Sequence, residues 1–354
     1  QYVSSGGSAT STTINSGGWQ NVYSGGSATS TTINSGGRQH VSSGGSATST
    51  TINGGGLQIV SSGGSATSTT INSDGQQTVF SGGSATSTTI NGGLQYVSRG
   101  GSATSTTING GRQDVYSGAS ATSTTINDGW QNVYNSGSAT STTINGGRQA
   151  VFSGGSATST TINGGWQDVF IGGSATSTTI NSGGGQAVDS GASATSTTIN
   201  GGLQVVSRGG SATSTTINSG GRQHVSGGGS ATSTTINSGG WQAVYSGGSA
   251  TSTTINSDGQ QNVFSGGSAT STTINAGLQY VSSGGSATST TINGGWQYVS
   301  SGGSATSTTI NSGGQQNVSS GGSATSTTIN DGWQNVYNSG SATSTTINGG
   351  LQAV

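Results

Sequence analysis

Apolar residues in this chain are sparse, and they return at fixed places in a recurring unit. In Ser8-Ala9-Thr10-Ser11-Thr12-Thr13-Ile14-Asn15 they are Ala9 and Ile14; in the following Trp19-Gln20-Asn21-Val22-Tyr23 the constant one is Val22. The octapeptide recurs unchanged in nineteen copies, the last at Ser341–Asn348. A period this short decides the fold class before any residue is assigned a role. Gln20 and Val22 share one face of an extended strand, while Trp19, Asn21 and Tyr23 share the other. Across the copies the Gln and Val positions never change and the second set varies widely, so Val faces a shared interior and the variable set faces out. Ala9 and Ile14 have opposite parity, and an unbroken strand cannot bury both. A bend near Ser11-Thr12 follows, and with it three short strands per repeat, around Ala9, Ile14 and Val22.

Spacing locates the turns. The distance from each Gln to the next Ser start is constant, as in Gln20 to Ser27, Gln95 to Ser102 and Gln186 to Ser193. The distance from Asn to Gln varies by one residue, because Asn15-Ser16-Gly17-Gly18 in one repeat is Asn91-Gly92-Gly93 in another. All length variation therefore sits in one turn, where an insertion leaves strand register intact. These features predict an all-β, right-handed parallel β-helix (β-solenoid), with one 18–19-residue repeat per three-sided coil and about nineteen coils. At the strand spacing of ~4.8 Å such a stack would be roughly 90 Å long. Glycine at the corners supplies positive φ, and in-register Asn and Gln are placed to form amide ladders. Residues 1–354 read as a single repeat domain, and with neither end capped the expectation is a piece of a longer protein.

Composition narrows the chemistry. There are 70 Gly, no Pro, Cys or Met, and only 4% charged residues with a net charge of −1. Low hydrophobicity with almost no net charge is not the usual signature of disorder. Without clustered cations, nucleic acid is not expected as a partner. Asp74, Asp114, Asp128, Asp168, Asp189, Asp258 and Asp331 are scattered, with Asp114 and Asp128 in neighbouring coils, and His40 and His224 lie far apart in an outward column. No catalytic residue, metal site or cofactor is expected, and the chain does not read as an enzyme.

The outward columns offer two kinds of surface. The first is hydroxyl: Thr10, Ser11, Thr12 and Thr13 recur in every coil and form rows. The second is aromatic. Trp19, Trp130, Trp166, Trp241, Trp296 and Trp333 precede the fixed Gln, and Tyr23, Tyr134, Phe170, Tyr245 and Tyr337 follow most of them by four residues. Exposed aromatics on a strand face mark a contact surface.

The unit Ser-Gly-Gly-Ser-Ala-Thr-Ser-Thr-Thr-Ile-Asn-Ser-Gly-Gly-x-Gln-x-Val resembles the repeat of the AIDA/TibA group of self-associating autotransporter adhesins, over the whole chain. The resemblance implies the passenger of a Gram-negative autotransporter, displayed at the outer membrane, with the signal peptide and translocator barrel lying outside this sequence. It further implies host-cell adhesion through a cell-surface receptor, autoaggregation, biofilm formation and a part in virulence. It also implies serine O-heptosylation by a dedicated cytoplasmic heptosyltransferase before export, and self-association between rods. An acceptor serine should point outward, lie by a flexible corner and occur in every coil. The first choice is Ser8 and its equivalents: Ser27, Ser46, Ser65, Ser84, Ser102, Ser120, Ser138, Ser156, Ser174, Ser193, Ser211, Ser230, Ser249, Ser268, Ser286, Ser304, Ser323 and Ser341. Second come Ser24, Ser81, Ser117, Ser153, Ser246 and Ser265, whose column is interrupted by Arg99, Asn135 and Ile171. Ser11, at the inferred bend, is third. The alternative function is an ice-binding solenoid that orders water on flat outward Thr rows.

Overall fold

The computed structural model describes residues 1–354 as two compact units, Gln1–Thr176 and Ser177–Val354. Each is a three-sided parallel β-solenoid without helix. After β1 (Tyr2–Val3), the first full coil consists of β2 (Ser8–Thr10), β3 (Thr13–Ile14) and β4 (Trp19–Val22). Like pairs with like from coil to coil: Ala9 with Ala28, Ile14 with Ile33, Gln20 with Gln39 and Val22 with Val41. The second unit repeats the scheme, as in Ala231 with Ala250, Ile236 with Ile255 and Val225 with Val244.

The bend expected between Ala9 and Ile14 is present. Ser11 turns the chain with φ +55°, a left-handed conformation, and its N–H donates to Thr29 O at 2.9 Å in the next coil. The turn of variable length also behaves as expected. In the longer form Gly18 N donates to Asn15 O at 2.8 Å across a tight turn in which Gly17 has φ +72°. Where the shorter form begins, Gln76 still pairs with Leu94 and Gln77 with Gln95. The strands keep their register because the extra residue is confined to the corner.

The interior is narrow. Val22, Ala28 and Ile33, with their equivalents short of the last coil, are buried. Each Val or Ile removed from water contributes about 1.5–3 kcal/mol, and Ala adds less. Between these apolar rows runs a polar spine. Gln39 Nε2 donates to Gln20 Oε1 at 2.7 Å and to Thr31 Oγ1 at 3.2 Å, while Thr31 Oγ1 donates to Gln20 Oε1 at 3.3 Å. The second unit has the same arrangement in Gln242, Gln223 and Thr234. Both amide hydrogens, both carbonyl lone pairs and the hydroxyl are thereby used, so a polar row is tolerated at full burial. The Thr12 row therefore differs from its expected place on the surface: Thr31 and its equivalents face inward, in step with Ile33. A second ladder runs on the outside, where Asn34 Nδ2 donates to Asn15 Oδ1 at 2.9 Å.

Candidate functional site

The three serine columns lie in distinct settings. Ser8 and its equivalents occupy the outer face of the Ser-Ala-Thr strand and are mostly half-buried between neighbouring coils, with Ser8, Ser120, Ser193 and Ser341 exposed. Ser120 and Ser193 follow Ala119 and Ala192, which replace a corner glycine. Ser24, Ser81, Ser117, Ser153, Ser246 and Ser265 are exposed and left-handed, with φ from +48° to +52°. The Ser11 column is exposed in every coil and is left-handed throughout, with φ near that of Ser11 itself. Exposure thus ranks both Ser11 and Ser24 above Ser8, whereas the order expected from sequence is Ser8, then Ser24, then Ser11. Parity carried the missing signal: once Ile14 faces inward, Thr12 must too, and Ser11 is left at the apex.

The left-handed conformation does not by itself demand serine. At the Ser24 corner the same conformation is adopted by Arg99, Asn135 and even β-branched Ile171. Gly or Asn would be the cheaper occupants of such a position. The Ser11 corner nevertheless carries serine in all nineteen coils. Of the Thr rows that an ice-binding face would use, Thr12 lies inside, while Thr10 and Thr13 fall on different sheets.

The aromatic columns lie on the outer face of the third sheet. Trp19, Trp130, Trp166, Trp296, Trp333 and Tyr337 are exposed; Trp241, Tyr23, Tyr134, Phe170 and Tyr245 are half-buried. Coil stacking turns equivalent positions of successive coils into continuous rows. Tyr116, Tyr134, Phe152 and Phe170 stack with successive centroids 5.1 Å apart, and Tyr245 stacks on Phe264 at 5.2 Å. In the Trp column arginines lie on the rings: Arg38 is 5.2 Å from the Trp19 centroid, and Arg148 is 5.2 Å from that of Trp130.

The charged groups do not converge. Asp114 is paired with Arg112 at 3.1 Å and accepts from Asn132 Nδ2 at 2.8 Å; burial, outweighing both partners, raises its carboxyl above the usual range. Asp128 sits in the turn and caps Gly129 N at 2.9 Å, and Asp168 is ion-paired with Arg148. The two histidines are less solvated than their column suggested. His40 Nε2 is 3.0 Å from Ser61 Oγ, and His224 packs edge-on against Trp241 and Tyr245, where burial and then Arg222 lower its pKa. No three His or Asp residues gather as a metal site would require.

Constant rows inside, variable columns outside and no convergent reactive groups define a structural repeat protein of the stalk class. The family described as "Adhesin of bacterial autotransporter system, probable stalk" matches residues 34–75, 144–184, 228–278 and 295–350, more than half of the chain. The chain belongs to this family and is a structural adhesin rather than an enzyme. Among solved structures it is similar to a TibC-catalyzed hyper-glycosylated TibA fragment, with 44% identity over 96% of this chain and 98% of that one, at a TM-score of 0.44. No curated protein matches it.

Proposed function

We propose that residues 1–354 form one repeat domain of a secreted, cell-surface autotransporter passenger, and that the chain is an acceptor substrate for serine O-heptosylation. The exposed Ser11 column carries the proposal, because it offers one hydroxyl per coil at a strained corner that never changes residue. The exposed serines of the Ser24 column come next, followed by the half-buried Ser8 column. A heptosyltransferase would join serine Oγ to the anomeric carbon of an activated heptose, with loss of the hydroxyl proton and of the donor's leaving group. The similar TibA fragment is described as glycosylated by TibC, and its sequence likeness extends over nearly the whole chain. A surface with so little charge also lacks the electrostatic repulsion that keeps rods apart. Glycan would supply hydration in its place, and bare regions would self-associate, in line with autoaggregation, biofilm formation and host-cell adhesion.

Site-resolved glycopeptide mass spectrometry, after co-expression with an autotransporter heptosyltransferase in the cytoplasm, tests this reading. Heptose on the Ser11 column is the expected result. Unmodified serine throughout the repeats overturns it.

A further inference from the structure

The outer turn beside the Trp column holds open grooves whose lining recurs. In the first unit a groove of about 530 Å³ is bounded by Trp130 and Trp166, with Asp128, Arg148 and Asp168 along it and glycine backbone as its floor. In the second unit a groove of about 440 Å³ repeats the scheme with Trp241, Arg222 and Asp258 over glycine. The floor is held bare by packing. A Cβ at Gly147 would lie 2.5 Å from Gly129 O, and one at Gly240 would lie 2.6 Å from Ile217 O.

We propose that these grooves bind neutral glycan chains. Trp130 pairs with Arg148 and Arg148 with Trp166 in successive strands, so the two indoles stand two coils, about 10 Å, apart. Between them the guanidinium is fixed on the Trp130 ring and bonded through Nε to Asp168, which leaves its terminal nitrogens outside that bond. An exposed indole presents a flat apolar face suited to the C–H face of a pyranose ring, while a carboxylate and a held guanidinium suit vicinal hydroxyls. Each groove is lined by one arginine and one or two carboxylates, so neither concentrates positive charge for a phosphate, sulfate or acidic sugar. The grooves are too open for a compact apolar ligand. An extended saccharide lying along the coils fits better, binding weakly at each groove and gaining avidity from repetition.

This inference deepens the adhesion reading by naming its ligand class, but the grooves do not depend on serine modification. The test uses the full chain produced without a heptosyltransferase, with cellohexaose as the neutral probe, and follows the indole N–H resonances. Shifts at Trp130, Trp166 and Trp241 with a Kd of roughly 1 mM are expected. Replacing these three by Ala should weaken binding by roughly tenfold, whereas Trp19→Ala, in a coil pair lacking the acid, should not. Asp168→Asn should weaken binding in the first unit with the far-UV spectrum unchanged. Unmoved indoles at millimolar probe, or equal loss with Trp19→Ala, overturns the proposal. So does concentration-dependent self-association that the three substitutions abolish while the indoles stay indifferent to sugar, since the face would then serve a second copy of the chain. Failure of serine glycosylation leaves this titration untouched, and failure of the titration leaves the glycosylated stalk standing.

Discussion

Gln131 lies over Gln113 in the interior of the first unit, and its Nε2 donates to Gln113 Oε1 at 2.7 Å and to Thr124 Oγ1 at 3.1 Å. Its own Oε1 accepts from Gln149 Nε2 at 2.7 Å and from Thr142 Oγ1 at 3.3 Å. One side chain thus completes four bonds inside a core otherwise made of Val, Ile and Ala. Gln131→Leu keeps the volume and strands the partners on both sides. Each orphaned buried group costs about 1–3 kcal/mol, so a destabilisation of several kcal/mol is expected in denaturant unfolding. A loss below about 0.5 kcal/mol would mean that the spine is dispensable.

Corner glycines differ in how much they tolerate. A Cβ at Gly155 would stand 2.1 Å from Val133 O, yet the equivalent position holds Ala at Ala119. The turn survives there with little change: Ala119 N to Tyr116 O is 3.2 Å and Ala192 N to Asp189 O is 3.0 Å, against 2.9 Å for Gly155 N to Phe152 O. Gly155→Ala should therefore cost only about 1 kcal/mol in thermal unfolding, whereas Gly155→Val, which cannot be accommodated by so small a shift, should cost well over that.

Ile171 is β-branched, left-handed at φ +47° and 58% exposed. It has little burial to offset backbone strain. Ile171→Asn, the residue found at the equivalent Asn135, should stabilise the chain by about 1 kcal/mol, read as a higher melting temperature.

Asp114 is a titrating group with a stability consequence. Burial raises its folded-state pKa above the unfolded value. Between those two values the folded chain binds more protons than the unfolded one, so stability is greatest below the unfolded pKa and falls as pH rises through the folded pKa. Asp114→Asn should remove this fall and be the more stable form at neutral pH. Melting curves from pH 3 to pH 8 check it, and parallel profiles for the two proteins would contradict the assignment.

Most of the architecture was legible because its constraints are arithmetical. The constant Gln20-to-Ser27 spacing places all length variation in one turn, and the opposed parity of Ala9 and Ile14 requires a corner. Two features were harder to read. Thr12 is as polar as Thr10 and Thr13, so composition does not separate an inward hydroxyl from outward ones; only its step with Ile14 does. The exposure of the Ser8 column depends on how far neighbouring coils cover it, and that shielding comes from stacking rather than from residue type. The Trp–Arg–Asp grooves were invisible for a related reason, since Asp128, Arg148 and Trp166 meet only through the coil repeat.

The buried amides all point the same way. Later coils donate and earlier coils accept, from Gln20 onto Gln1 through Gln131 onto Gln113. In the Gln row, a run of coils cut at any point would therefore show side-chain N–H groups on one cut face and side-chain carbonyl oxygens on the other. Two such rows match only head to tail, because head-to-head contact sets donor against donor. The solenoid has an internal arrow: a coil added after its N-terminal neighbour meets amide acceptors on it, and one added before its C-terminal neighbour meets amide donors.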